Sequence, residues 1–166
     1  SYAETYLREE IKAEALTRRV DHFARFLDVI ALASGEELNY QALASDTGIN
    51  AKTIGNYVEI LEDTLLGFRL DAFRKTRARK AISRAKFYLF DVGVAGALAH
   101  RGEIAAKSEL FGRAFEHFIV LELRAYLSYA RKNLPLQYWR STSQFEVDLI
   151  VGDALAIEIK SSELVQ

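Results

Sequence analysis

The sequence predicts an α+β chain: a helical first half with two short strands, then one long helix followed by three strands. Three observations predict it. Apolar residues recur at helical spacing before Gly67 and in alternation after it. A single proline in 166 residues leaves room for long uninterrupted helices. Half of the residues are apolar and 27% are charged, enough for a buried core and a soluble surface.

The elements follow in order. Residues 4–33 read as helix, with Leu16, Val20, Phe23, Leu27, Ile30 and Ala31 at helical spacing and Gly35 as the stop. Residues 39–66 read as two helices around a tight turn: Asn39 caps the first, Gly48 turns the chain, and Asn50 caps the second. Ile54, Tyr57, Val58, Leu61 and Leu65 form the buried stripe of that second helix. Phe68 to Phe73 alternates as a strand does, and Lys86 to Phe90 is a second strand. The basic stretch between them falls where the loop of a wing belongs, so residues 1–96 read as a helical region with a helix-turn-helix and a wing, a winged-helix unit. Asp91 and Gly93 read as a helix cap, and residues 97–111 as a connector. Residues 112–131 form one long helix. Pro135 opens a strand over Leu136 to Arg140, a polar turn leads to a strand over Phe145 to Val151, and Gly152-Asp153 turns the chain into a third over Leu155 to Ser161.

Composition excludes several functions. With no cysteine there is no disulfide, zinc knuckle, iron–sulfur cluster or thiol nucleophile. The longest unbroken apolar run, Val29 to Ala33, is far too short to span a bilayer, and Ser1 to Glu10 lacks a signal-peptide core, so a cytoplasmic protein without membrane association is expected. The absence of methionine reads as a fragment of a longer product. The histidines His22, His100 and His117 show no ligand spacing, and His117 reads as a polar flank of its helix.

Charge is uneven. Residues 1–68 carry a net −6, residues 69–86 a net +7, and residues 87–166 a net −2. The basic block is Arg69, Arg74, Lys75, Arg77, Arg79, Lys80, Arg84 and Lys86. It reads equally as a phosphate-contact surface for DNA and as a solvated loop or a pairing surface for an acidic neighbour. In either case it is expected to be exposed or mobile and to form the most positive surface. On the second helix of the helix-turn-helix, Lys52, Thr53 and Asn56 are candidates for a major groove, although Glu59, Glu62 and Asp63 would repel phosphates. Such units also serve as packing or dimer modules, so a second copy of the chain is a further candidate partner. Tyr138, Trp139 and Arg140 offer stacking and a phosphate contact, with Trp139 reading as core.

The strongest chemical signal is Glu146-Val147-Asp148, a turn, then Glu158-Ile159-Lys160. If the apolar faces of the two strands coincide, Asp148, Glu158 and Lys160 converge on the other face. Two carboxylates suit a hard divalent cation, and a lysine can orient an attacking water. Glu116 shares a helical stripe with Ile119, Val120, Leu123 and Leu127, so its carboxylate is expected to face the sheet on the side of Asp148. The alternative, a surface salt-bridge ladder of Asp148, Glu158 and Lys160, explains the inward Glu116 less well. The hairpin register decides the matter. A two-residue loop pairs Val151 with Ala154 and separates the carboxylates, whereas Gly152-Asp153-Ala154 pairs Val151 with Leu155 and sets Asp148 opposite Glu158. Burial favours the second, and two facing carboxylates should raise the pKa of Asp148 or Glu158.

This order of groups resembles the PD-(D/E)XK nuclease family: a helical Glu, a strand Asp, then Glu-x-Lys on the next strand. The resemblance implies metal binding by Asp148 and Glu158, catalytic assistance by Lys160 and metal or water support by Glu116, with magnesium or manganese as the ion. It also implies a restriction-endonuclease-like domain over residues 97–166, truncated at Gln166 because the family core continues with another helix and strand. Thr5 to Ile11, Leu38-Asn39-Tyr40, Lys86 to Gly93 and Phe115 to Phe118, taken with the carboxylate motif, resemble the C-terminal module of a group of prokaryotic AAA+-type ATPases. That resemblance implies a P-loop ATPase domain preceding a winged-helix unit and a nuclease-like domain. No G-x-x-x-x-G-K-[ST] occurs here, so no ATP site is expected in this chain.

Overall fold

A computed structural model describes residues 8–9, 20–74, 84–143 and 145–161. The chain divides into two compact units. The first is Ser1–Phe68 with Phe87–Glu103, and the second is Arg69–Lys86 with Ile104–Gln166. The units are thus discontinuous in sequence, whereas the sequence reading divides the chain once, between residues 96 and 97. Helices precede a mixed sheet of five strands, as expected for an α+β chain.

In the first unit, α1 (Val20–Leu32) buries Phe23, Phe26, Leu27, Ile30 and Ala31, one face of an amphipathic helix. Of the expected helix over 4–33, Arg8 and Glu9 are also helical, and residues 10–19 lie outside the described residues. The next helices are α2 (Tyr40–Thr47) and α3 (Ala51–Asp63). Their caps are those read from sequence. Asn39 Oδ1 accepts from the Ala42 amide at 3.2 Å, and Asn50 Oδ1 accepts from the Thr53 amide at 2.9 Å. Gly48 takes φ 70°, a left-handed turn that costs a residue without Cβ nothing. Ile54, Tyr57, Val58 and Leu61 are buried, and Tyr57 meets Phe23 edge-on at 4.8 Å between ring centroids. Leu65 departs from the expected stripe: α3 ends at Asp63, Leu65 turns through φ 60° and is 77% exposed, and Leu66 goes inside instead.

Strand β1 (Gly67–Ala72) begins in the first unit and ends in the second, and β2 (Lys86–Leu89) runs the other way between them. Gly67 is obligatory, because a Cβ there would collide with the ring of Phe87. Phe68 and Tyr88 stack at 5.7 Å. The expected second strand stops one residue early, leaving Phe90 38% exposed. Helix α4 (Val92–Leu98) follows, with Asp91 accepting from the Val94 amide at 2.8 Å; the short helix thus lies mostly ahead of the expected 97–111 connector.

In the second unit, α5 (Glu109–Tyr129) is capped by Ser108 and packs through His117, Val120 and Leu127. His117 is buried, 4% exposed, rather than a polar flank. The strands are β3 (Leu136–Arg140), β4 (Glu146–Val151) and β5 (Leu155–Ile157). The full strand order is β2-β1-β3-β4-β5. Joining β1 to β3 in parallel, with Asp71 across from Gln137 and Ala72 from Tyr138, differs from a wing that pairs only with itself. The β3–β4 and β4–β5 pairs are antiparallel. Pairing of β3 with β4 slips by one residue between Gln137 and Trp139, so Asp148 and Leu149 together face Tyr138, a bulge in β4. Trp139 is half-buried, while Tyr138 is fully buried. No helix among the described residues is long and apolar enough to cross a membrane.

Candidate functional site

The site lies within the second unit. Part of its expected framework is present. The β4–β5 hairpin takes the odd register, with Val151 across from Leu155, Ile150 from Ala156 and Leu149 from Ile157. One further step of that register sets Glu158 opposite Asp148. The strand stops short of that step, however, because the chain leaves the ladder after Ile157 rather than running on to Ser161. The Ile159 amide instead donates to Asp148 Oδ2 at 2.6 Å. Glu158 turns to Lys160, 2.5 Å away, and both are exposed, at 66% and 56% of their side chains. The bond and the charge of Glu158 raise the pKa of Lys160.

The centre of charge is a residue the sequence reading assigned to the exposed basic block. Lys86 is 5% exposed at the start of β2, a strand buried along its whole length. Its Nζ lies 2.7 Å from Glu146 Oε1 and 3.1 Å from Glu116 Oε1. The Tyr138 ring lies beside the ammonium, with its centroid 5.1 Å away. Arg140 Nε approaches the other oxygen of Glu146 at 3.7 Å, which engages the arginine considered above for a phosphate. Glu116 faces the sheet as expected, but it faces a lysine there. Burial pulls the pKa of Lys86 down. Two carboxylates within bonding distance outweigh it and leave the net shift upward. The pKa of Asp148 is raised, first by burial, with the charges of Glu116 and Glu146 adding and the Ile159 amide and Lys86 opposing. The direction is the expected one, and the cause is burial and these two glutamates rather than a facing Glu158.

Two site residues were missed, Lys86 and Glu146. The signal for Glu146 was present, since it shares a strand face with Asp148. Lys86 gave none, because its partners lie 30 and 60 residues away and it closes a block of cations.

Among the described basic residues, Arg69, Arg74 and Arg84 are exposed and Lys86 is not; Lys75, Arg77, Arg79 and Lys80 lie outside the described residues. The Arg84 carbonyl accepts from the Tyr138 hydroxyl at 2.6 Å, which ties the end of the basic segment to β3. In the first unit, Lys52 and Asn56 are exposed on α3 and Thr53 is half-buried.

The chemistry of the donors decides which residues suit the implied divalent ion. Glu116 and Glu146 are bridged by a buried ammonium and do not suit it. Asp148 and Glu158 are hard oxygen donors, and the exposed Glu158–Lys160 pair is readily exchanged. Among the described residues, no three His, Cys, Asp or Glu groups are gathered to hold a metal by themselves.

Residues 111–166 match the profile of a domain of unknown function, DUF4143. No curated protein and no solved structure matches the chain. Residues 1–105, well over half of the length, match the profile of another domain of unknown function, DUF8612, and the chain belongs to that family.

Proposed function

We propose that this chain is a DNA-directed module of an AAA+-type ATPase, with a winged-helix unit and a PD-(D/E)XK nuclease-like unit that hydrolyses phosphodiesters. The observation that supports this reading is the odd register of the β4–β5 hairpin, Leu149 across from Ile157, with the Ile159 amide donating to Asp148 Oδ2 at 2.6 Å. Asp148 and Glu158 would hold a magnesium or manganese ion, which supplies Lewis-acid activation of a phosphoryl oxygen and of water. Lys160, exposed beside Glu158, orients the attacking water. Arg74 and Arg84, exposed at the two described ends of the basic segment, contact the DNA backbone, together with Lys75, Arg77, Arg79 and Lys80. Lys52, Thr53 and Asn56 are the groove-facing candidates of the helix-turn-helix. Cleavage of plasmid DNA that requires manganese and is lost in Asp148→Ala tests the reading. Absence of cleavage with every divalent ion, together with unaltered manganese binding in Asp148→Ala, would end it.

One observation favours a second reading, a non-catalytic interaction module on a nuclease-like fold: lysines engage Glu116, Glu146 and Glu158 alike. On that reading DNA binding falls steeply with salt, survives Asp148→Ala, and is weakened by Arg74→Ala with Arg84→Ala.

A further inference from the structure

We infer that Lys86 is the resident cation of the carboxylate cluster: its ammonium, and not a divalent ion, bridges Glu116 and Glu146. The inference concerns the same unit as the nuclease reading but holds whether or not the unit cuts DNA. It changes the role of Glu116 from metal support to anchor of a lysine, and it gives Glu146 a role.

Three observations carry it. The first is distance. The contacts of 2.7 and 3.1 Å are those of charge-assisted hydrogen bonds from an ammonium, whereas magnesium draws oxygens to about 2.0–2.1 Å and demands an octahedron. The second is enclosure. The side chain of Lys86 is 6% exposed, against 56% for Lys160. A buried ammonium must spend its donors on partners, and here two go to carboxylates while the Tyr138 ring covers it from one side. The third is the order of the chain. Lys86 opens a strand whose next three residues, Phe87, Tyr88 and Leu89, are at most 1% exposed, so its backbone is fixed by packing that has nothing to do with the carboxylates. An ion entering between Glu116 and Glu146 would have to displace a buried, doubly paired ammonium. Lys86 is accordingly a positioning residue. It holds the two glutamates in place.

Manganese binding to the 166-residue chain, followed by electron paramagnetic resonance, tests the inference. Lys86→Met keeps the apolar stem and removes the charge, and it is expected to raise manganese affinity about tenfold or more, since ligand charge sets affinity at oxygen sites. Adding Glu116→Gln should cancel the gain. Unchanged affinity in a folded Lys86→Met, or wild-type manganese binding that is lost in Glu116→Gln, overturns the inference. Should Lys86→Met fail to fold, the wild-type chain gives the answer directly. The Nζ resonance of Lys86 is expected to keep its position at saturating magnesium, and a shift that reverses on chelation overturns the inference.

Discussion

Among the described residues of the second unit, two lysines are paired with glutamates, one at the start of β2 and one beyond the end of β5, and they differ in everything but chemistry. Lys86 is enclosed and serves two glutamates drawn from α5 and β4; Lys160 is exposed and meets Glu158, two residues away. The first pair is made by the tertiary structure and holds distant segments to one another. The second is made by the local chain and is screened by water. The contrast teaches that a short motif names residue types, whereas burial decides which of them carries structural energy.

The largest expected effect is that of Lys86→Met. Removing one partner of a buried pair leaves uncompensated charge, and urea denaturation should show a loss of about 3 kcal/mol. Lys160→Met should leave the denaturation midpoint where it was. Equal losses in the two variants would erase the contrast. The same pair is visible along pH. The folded pKa of Lys86 lies above its ordinary value of 10.5, so its contribution is complete below that value and is lost as pH rises through the folded one. Alkaline melting curves of the wild type should carry this loss and those of Lys86→Met should not.

Tyr138→Phe comes next. It deletes the hydroxyl bond to the Arg84 carbonyl and keeps the ring beside Lys86, at an expected cost of about 1 kcal/mol. A cost as large as that of Lys86→Met would mean that the tether at Arg84, and not the ion pair, dominates the region. Asp148→Asn should act in the opposite sense. The folded pKa of Asp148 is raised above 3.8, so its favourable contribution is present below that value and is lost as pH rises through the folded one. At neutral pH the charged form is therefore the disfavoured one, and Asp148→Asn should melt higher than wild type there, with the difference closing in acid. A variant that melts lower at neutral pH would show that the bond from Ile159 outweighs burial.

The same division explains what the sequence discloses. Asn39, Asn50, Gly48 and Asp91 were legible as caps and turns because each acts within four residues of itself. The span of β3 was legible from the single proline before it, and the odd register from the alternation of Leu149, Val151, Leu155 and Ile157. The inward face of Glu116 followed from its helical stripe. Leu65 was misplaced because periodicity cannot tell where a helix stops when leucines continue past its end. Lys86 and the parallel pairing of β1 with β3 were illegible for one reason: each joins segments far apart in the chain, and no local pattern records the partner.

The slip between β3 and β4 resolves a conflict of parity. On β3, Leu136 and Arg140 are four residues apart, an even step, and so belong to one face. Their partners on β4, Val151 and Glu146, are five apart, an odd step that an unbroken strand would send to opposite faces. The extra residue at Asp148 and Leu149 absorbs that odd count. It lets the apolar pair Leu136–Val151 and the charged pair Arg140–Glu146 coexist on one stretch of sheet, while the β4–β5 side keeps an unbroken count of its own. Removing one residue from β4 would leave a step of four on both strands, so Leu136–Val151 and Arg140–Glu146 could pair without a bulge, but the doubled position across from Tyr138 would be gone. What the extra position supplies is therefore not the pairing of the two ends but the placing of Asp148 beside buried Leu149, both across from the buried Tyr138.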